Sequence, residues 1–238
     1  MIRNILEYAE ETAKRMPDAV AFATDKEEKT FGQLVQRAKE IGSALLSYGV
    51  KNAPMAVMTD KTPDMIAAFL GCVYSGNFYT PIDVTMPKER ILSIFETLKP
   101  VVLLIDEKSK KQAAALGYTG ETLVLEEIPE GNVNEEALAE VRRNAIDTDP
   151  LYALFTSGST GVPKGVVISH QAVVNLTEWY TETFSITEKE VIGNQAPFDF
   201  DVSVKDIYSG LFTGARVEIV PTAYFTNPTK LMDFLCDR

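Results

Sequence analysis

Residues 156–165 form the segment of this sequence whose residue types are best suited to chemistry. The run reads Thr-Ser-Gly-Ser-Thr-Gly-Val-Pro-Lys-Gly and holds four hydroxyl side chains, three glycines and one lysine. Glycines let backbone N–H groups approach a bound anion, hydroxyls supply further donors, and Lys164 supplies a positive charge. The run therefore predicts a loop that binds a polyphosphate. The alternative is a polar hairpin loop without a function.

Two common phosphate-binding patterns do not fit this run. The Walker A pattern fails because Pro163 stands where its second glycine belongs and because Gly165 follows Lys164. The dinucleotide-binding pattern fails because no glycine stands two positions after Gly158, and because the apolar run 166–168 predicts a strand after the loop instead of a helix. The loop therefore belongs to another class.

The elements that would position this loop alternate between helical and β-rich patterns. Strands are predicted at 20–23, 55–58, 78–82, 101–105, 123–125, 151–155 and 166–168. A first helix is predicted after the N-cap residue Asn4, and a second after the N-cap residue Thr30, ending near Gly49. A third is predicted to begin at Thr62-Pro63 and to end near Gly76, and a fourth to begin at Pro87. This alternation predicts an α/β fold with largely parallel sheets flanked by helices.

Composition and charge argue against several classes of protein. The chain has 23 basic and 34 acidic residues, a net charge of −11, and a nucleic-acid partner would require a basic surface. Residues 101–150 hold eleven acidic residues against five basic ones, which predicts a solvated face. Two distant cysteines argue against zinc ribbons and disulfide scaffolds, and favour a cytoplasmic location. The longest apolar stretch, 66–74, is too short for a bilayer, and the N-terminus lacks a secretory signal pattern, so no membrane partner is expected.

The run 156–165 resembles the signature loop of the adenylate-forming superfamily, which includes acyl- and aryl-CoA synthetases, luciferases and amino-acid-activating adenylation domains. Residues 30–34, 76–83 and 87–90 are similar to further segments of that family. The resemblance implies that the loop holds the β- and γ-phosphates of ATP while a substrate carboxylate attacks the α-phosphorus, so that pyrophosphate leaves and an acyl adenylate forms. The phosphate-binding residues that it implies are Thr156, Ser157, Gly158, Ser159, Thr160, Gly161 and Lys164.

The run Phe200-Asp201-Val202-Ser203 is similar to a Phe-Asp-x-Ser motif of the amino-acid-activating members. In those members the aspartate lies against the α-ammonium group of the substrate, and a buried cation needs such a paired anion. Asp199 is the competing carboxylate, and the family register favours Asp201. Asp201 is also placed to cap a helix that the apolar residues between 204 and 211 predict, and the two roles are compatible. The resemblance implies a substrate site that contains Phe200, Asp201 and Val202.

The wider run 194–208 resembles the D-alanine:D-alanyl carrier protein ligases within the family, as does Trp179. This resemblance implies D-alanine as the favoured substrate, and a carrier protein with a phosphopantetheine thiol as the acceptor. Lys205 departs from the pattern at a position that often lines the side-chain pocket, where it would predict an acidic or polar substrate. Alternatively Lys205 pairs with Asp201 four residues before it, or points to solvent. An adenylation domain of a nonribosomal peptide synthetase, for another amino acid, is the other family interpretation.

In the family, several functional residues follow the region that this chain represents. They include the adenine-binding loop, an acidic residue associated with Mg²⁺, the ribose-binding aspartate and a C-terminal catalytic lysine. We therefore expect residues 1–238 to be the N-terminal part of the large N-terminal domain of an amino-acid adenylating enzyme, without catalytic residues and inactive alone. The hypothesis from another class is a non-catalytic fragment that binds nucleotide phosphates.

Overall fold

The computed structural model describes residues 2–156 and 163–237. Its helices are α1 (Leu6–Arg15), α2 (Phe31–Leu45), α3 (Pro63–Tyr74), α4 (Lys88–Leu98), α5 (Lys110–Leu116), α6 (Glu135–Arg143), α7 (His170–Thr183), α8 (Val202–Thr213) and α9 (Pro228–Cys236). Its strands are β1 (Val20–Ala23), β2 (Glu28–Thr30), β3 (Pro54–Met58), β4 (Phe78–Pro81), β5 (Val102–Ile105), β6 (Glu121–Val124), β7 (Pro150–Thr156), β8 (Lys164–Ser169), β9 (Val191–Asn194) and β10 (Arg216–Ile219). The α/β class that the sequence predicts is confirmed.

The strands of the described residues form two sheets. One has the strand order β6-β5-β3-β4-β7-β8 and the other the order β2-β1-β10-β9. Strands pair in parallel throughout, except that β8 is antiparallel to β7 and β2 is antiparallel to β1. The antiparallel β8 forms one edge of the larger sheet, so the sequence-predicted loop joins the last two strands at that edge.

Local signals set several helix ends where the sequence predicts them. The Thr30 side chain accepts from the backbone of Gln33 while the Gln33 side chain accepts from the backbone of Thr30, which is a capping box for α2. Pro63 is the first residue of α3, where a missing N–H group costs no hydrogen bond. Gly76 follows α3 with a φ of +77°, a left-handed conformation that glycine adopts without steric cost.

Helix α3 lies in the centre of the core. Eleven of its twelve residues are buried, and it packs closely on α2. A Cβ atom added to Gly71 would lie 2.5 Å from Cγ2 of Ile41, so the two helices approach where a larger side chain would clash. Even so, no helix among the described residues has the length and apolar character that crossing a membrane requires.

The acidic region 101–150 is a solvated face, as the sequence predicts. None of its eleven acidic residues is buried. Two helices in this region, α5 and α6, are absent from the sequence-based prediction. Helix α6 buries only Leu138, and α5 buries only Ala113 and Leu116, so neither has the apolar stripe from which a helix is predicted. The short strand β2, which is also largely exposed, escaped prediction for a similar reason.

Candidate functional site

The hairpin of β7 and β8 carries the sequence-predicted phosphate loop between its strands. Thr156, the last residue of β7, lies opposite Lys164, the first residue of β8, and both side chains are exposed. The strands that the sequence predicts on either side of the run are therefore confirmed. The predicted phosphate-binding residues between these two strand ends, Ser157, Gly158, Ser159, Thr160 and Gly161, lie outside the described residues.

A cavity of about 530 Å³ lies beside this hairpin, and we call it the hairpin cavity. Its lining residues are Arg90, Tyr152, Leu154, Phe155, Thr156, Val166, Ile168, Leu176, Asp199, Phe200 and Asp201. Three sequence-predicted site residues, Thr156, Phe200 and Asp201, therefore meet there. Val202 and Lys205 are not among the described residues that line it. Most of the lining side chains are apolar, with a few polar groups at fixed positions, which is typical of small-molecule sites.

A buried serine holds the turn that carries the two aspartates. The Oγ atom of Ser203 donates to the backbone oxygen of Phe200 at 2.7 Å and lies 3.4 Å from that of Phe198. The Ser203 side chain is fully buried, and the Phe198 ring packs edge-on against the Phe69 ring. The serine of the sequence motif therefore fixes the backbone next to Asp201. No role of its own was predicted for Ser203, although a small polar residue within an apolar helical pattern indicates a buried hydrogen bond.

Asp201 stands at the N-terminal end of α8 but does not cap the helix with its side chain. The predicted capping role is therefore wrong. Its backbone has helical angles, with φ −60° and ψ −28°, whereas a capping side chain normally requires an extended backbone. The Asp201 side chain is exposed, and among the described residues it has no hydrogen bond or ion pair. A carboxylate on the cavity wall is thus available to a ligand.

Asp199 lines the same cavity in a different environment. The side chain is half-buried, and its Oδ1 atom is buried without a hydrogen-bond partner in the described part of the chain. Burial raises the pKa of Asp199, the nearby Asp83 carboxylate raises it further, and Arg90 acts in the opposite direction. The ionised form of Asp199 is therefore less favourable than that of an ordinary aspartate.

Lys205 contacts neither Asp201 nor the described lining of the hairpin cavity. Its Nζ atom lies 2.5 Å from Oδ1 of Asp206 and 5.5 Å from the ring centroid of Tyr180. The other carboxylate oxygen of Asp206 accepts from Nδ2 of Asn194 at 3.0 Å. This arrangement differs from the three that the sequence suggested, namely the pocket, Asp201 and solvent.

Lys61 is a residue near the site that the sequence analysis missed. It follows β3, and burial lowers the pKa of Lys61 to about 8, an effect that Asp206 and Asp83 partly offset. Its Nζ atom donates to the backbone oxygen of Asn194 at 3.3 Å and lies 5.1 Å from the ring centroid of Phe198. Ligands of open α/β sheets bind at the carboxyl ends of strands, so the position of Lys61, three residues after a predicted strand, was a usable signal, although its burial was not predictable.

A second cavity, of about 180 Å³, lies at the opposite end of β7, and we call it the amino-end cavity. Oε2 of Glu10 accepts from Arg142 at 2.7 Å, and Oε1 accepts from the Tyr74 hydroxyl at 2.8 Å. His170 is buried there, and its Nδ1 atom accepts from the backbone N–H of Ile5 at 3.2 Å. Burial, with Arg142 nearby, lowers the pKa of His170 to about 4.

Helix α7 presents an exposed apolar face beside the hairpin cavity. Leu176 lines the cavity, while the Trp179 and Phe184 side chains are 58% and 60% exposed. The ring of Tyr180 lies 6.5 Å from that of Trp179 and 4.8 Å from that of Phe184, measured between centroids. Side chains of this size are uncommon on a solvated surface, so the face is a candidate contact surface.

No group of three or more histidine, cysteine or acidic side chains among the described residues is arranged to hold a metal ion. The acidic residue that the resemblance associates with Mg²⁺ is expected after residue 238. At the hairpin, the Lys164 ammonium group suits phosphate oxygens and not a cation, whereas the Thr156 hydroxyl can both donate and accept.

Comparisons with known proteins agree on one family. A family model described as AMP-binding enzyme matches residues 9–237. The chain is 33% identical over 239 residues to a D-alanine--D-alanyl carrier protein ligase of Bacillus cytotoxicus, a match that covers 95% of this chain and 45% of the ligase. It is 35% identical over 217 residues to tyrocidine synthase 3 of Brevibacillus parabrevis, covering 89% of this chain and 3% of the synthase.

Solved structures of a nonribosomal peptide synthetase are also similar to this chain. The nonribosomal peptide synthetase FmoA3 in its alpha-methyl-L-serine-AMP bound form has a TM-score of 0.81 and 26% identity to this chain, covering 92% of this chain and 24% of that one. The AMPPNP bound form of the same protein gives a TM-score of 0.79 at 26% identity, covering 92% of this chain and 22% of that one. This chain spans less than half the length of these relatives.

Proposed function

Because this chain belongs to the AMP-binding enzyme family, we propose that it is the N-terminal part of an ATP-dependent ligase that activates an amino acid as its adenylate. The carboxylate of the amino acid attacks the α-phosphorus of ATP, and pyrophosphate leaves. The aminoacyl group is then transferred to the phosphopantetheine thiol of a carrier protein. D-Alanine is the favoured amino acid, and the location is cytoplasmic.

The observation that carries this proposal is the position of Asp201. Its carboxylate lines an apolar cavity and has no hydrogen bond or ion pair among the described residues. An amino acid brings an α-ammonium group that such a carboxylate can pair with, whereas a fatty acid brings no cation. The similarity to a D-alanine--D-alanyl carrier protein ligase supports the amino-acid class.

The hairpin supplies the second half of the proposed site. Thr156 and Lys164 face each other at the strand ends, where a hydroxyl donor and an ammonium group suit the β- and γ-phosphates. Leu154, Val166 and Ile168 give the cavity apolar walls. Positioning of the reactants is the protein's main contribution when a phosphoryl-type centre reacts.

ATP and Mg²⁺ are the proposed cofactors, although the described residues provide no metal site. Bound Mg²⁺ would neutralise charge on the phosphates of ATP. Its ligand, the ribose-binding aspartate and the catalytic lysine are proposed to lie in a continuation of the chain, so the present residues alone are expected to be inactive.

Amino-acid-dependent exchange of pyrophosphate into ATP tests the proposed activity. The assay uses the full-length product of the reading frame that encodes this chain, with D-alanine, L-amino acids, small aryl acids and a fatty acid as substrates. We expect exchange with an amino acid, and most with D-alanine. Exchange with an aryl or fatty acid alone would contradict the proposal.

A nonribosomal peptide synthetase adenylation domain is the second candidate, which the 35% identity to tyrocidine synthase 3 favours. The exchange assay separates the two, because a synthetase domain would select another amino acid. The non-catalytic hypothesis is separated by the reading frame itself. A frame that continues with the ribose-binding aspartate and the terminal lysine supports an enzyme, whereas a stop directly after residue 238 would contradict one.

A further inference from the structure

We infer that Lys205 is a positioning residue that acts on Asp201 through Asp206, and that Lys205 does not contact the side chain of the substrate. This inference rests on the proposed amino-acid adenylation and assigns Lys205 a role at that site. Sequence position alone would instead make Lys205 a contact for an acidic side chain.

The Lys205 ammonium group is already paired within the protein. Its Nζ atom lies 2.5 Å from Oδ1 of Asp206 and 5.5 Å from the ring centroid of Tyr180. The Lys205 side chain is 33% exposed, whereas that of Asp206 is 5% exposed. An aromatic face and a carboxylate together satisfy the cation, so little of its charge reaches a neighbouring pocket.

Asp206 connects this pair to two further elements. Its second oxygen accepts from Nδ2 of Asn194, a fully buried residue at the end of β9. The backbone oxygen of Asn194 accepts from Nζ of Lys61 at 3.3 Å. Asp206 is therefore a buried carboxylate in contact with the Lys205 cation, and removal of one partner of a buried pair is strongly unfavourable.

The pair lies close to Asp201 along α8. Asp201 directly precedes the helix, and Asp206 is its fifth residue, only about 7 Å further along at 1.5 Å per residue. The Asp201 side chain has no hydrogen bond or ion pair among the described residues, so its position is set by the backbone of α8 and by the Ser203 contacts. Anchoring α8 at Asp206 thus helps to hold the backbone from which the Asp201 carboxylate projects.

Arg90, and not Lys205, is the cationic residue among the described residues that line the hairpin cavity. Leu154, Val166, Ile168 and Leu176 are apolar walls of the same cavity. Arg90 has no ion pair among the described residues, although it opposes the rise in the pKa of Asp199. An acidic side chain in this cavity would therefore meet Arg90 and not Lys205.

The test uses the full-length protein in the exchange assay, with separate KM values for the amino acid and for ATP. We expect Lys205→Met to raise the KM for the amino acid about tenfold, to leave the KM for ATP within about twofold, and to preserve the ranking of neutral and acidic amino acids. Lys205→Arg keeps the pair and should restore the wild-type KM. Adding Asp206→Asn to Lys205→Met removes the unpaired charge, so the double variant should recover part of the loss.

The matched control is Lys39→Met, which breaks a lysine–carboxylate pair with Glu135 at 2.9 Å in the amino-end cavity. We expect it to leave both KM values unchanged. A change in substrate ranking in Lys205→Met, or no recovery in the double variant, would overturn the positioning role.

A wild-type enzyme that performs no amino-acid-dependent exchange would contradict the proposed function, and the substrate part of the inference with it. The structural part is decided independently by urea unfolding. Lys205→Met should lower the urea concentration at the unfolding midpoint more than Lys39→Met does. The double variant of Lys205→Met and Asp206→Asn should recover part of that loss. Equal midpoints for Lys205→Met and wild type would overturn the pairing.

Discussion

The two cavities at opposite ends of β7 differ in how their carboxylates are paired. In the amino-end cavity each lining carboxylate has a cationic partner: Glu10 pairs with Arg142, Glu135 with Lys39 and Asp149 with Lys51. In the hairpin cavity Asp201 has no such partner among the described residues, and neither has Oδ1 of Asp199. Both cavities are lined by polar and apolar groups, so lining composition does not separate them.

The difference indicates which cavity is suited to a ligand. A carboxylate that already has its counter-charge within the chain gains little from an added cation, whereas an unpartnered carboxylate gains a charge-assisted hydrogen bond. The amino-end cavity is therefore a structural site that joins α1, α6 and α7. The hairpin cavity is the one in which a cationic ligand would supply the missing counter-charge.

Replacement of Asp201 should produce the largest effect. Asp201→Asn keeps the shape of the side chain but removes the charge that pairs with the α-ammonium group. We expect the KM for the amino acid to rise about 100-fold or more, with the KM for ATP nearly unchanged. Steady-state exchange kinetics measure both values, and an unchanged amino-acid KM would show that the unpaired carboxylate does not mark the substrate site.

The next effect concerns the stability of the amino-end cavity and its pH dependence. Because the folded state lowers the pKa of His170 to about 4, from 6.5, neutral His170 is favoured on folding. The contribution of neutral His170 to the free energy of unfolding is fully present above pH 6.5. About 3 kcal/mol of that free energy is lost as the pH falls towards 4.

Substitution isolates this contribution, because Asn can accept from the Ile5 N–H group without titrating. His170→Asn should remove that part of the acid destabilisation, as urea unfolding at pH 7 and pH 4.5 would measure. Parallel loss of stability in both proteins would mean that His170 is not the titrating group.

A smaller effect is expected at the strand ends of the hairpin. Lys164→Ala removes the positive charge beside the phosphate loop, and we expect the exchange rate to fall about tenfold to 100-fold. Lys51→Ala removes a lysine from the amino-end cavity instead, where Lys51 donates to the backbone oxygen of Asn144. Lys164→Ala should therefore slow the exchange more than Lys51→Ala does. Equal losses of exchange rate in the two variants would contradict a functional difference between the cavities.

The smallest effect is expected for Asp199, the carboxylate that the family register does not favour. Asp199→Asn should change the amino-acid KM by less than about threefold. Because the folded state raises the pKa of Asp199, its ionisation disfavours folding as pH rises. The variant should therefore be slightly more stable than wild type at neutral pH and equal to it at low pH, when both are followed by urea unfolding. An amino-acid KM that rises as much as in Asp201→Asn would assign Asp199 to the substrate instead.

Local signals made much of the fold predictable. The capping box at Thr30 and the left-handed Gly76 depend on residues within a few positions, so the sequence alone places the ends of α2 and α3. Helix α6 was missed because Leu138 is its one buried residue, so it lacks an apolar stripe. Local signals were nevertheless present, since Asn134 caps the helix, its first turn is acidic and its last turn is basic.

The candidate site was predictable only in part, because its geometry depends on tertiary contacts. The motif identified Asp201 and Thr156, which the fold brings to one cavity. The pairing of Lys205 with its immediate neighbour was not predictable, since residues one apart on a helix do not normally face each other. That pairing depends on Tyr180 and Asn194, which distant elements supply. The burial of Lys61 likewise has no local signature.

The exposed face of α7 has a spectroscopic consequence. Trp179 is the single tryptophan of the sequence, it is 58% exposed, and it lies three residues after Leu176 in the wall of the hairpin cavity. All indole fluorescence of these 238 residues therefore arises beside the proposed substrate site. Covering this face would move the emission to shorter wavelength, so the chain carries its own optical reporter of binding to the exposed face of α7, with no label attached.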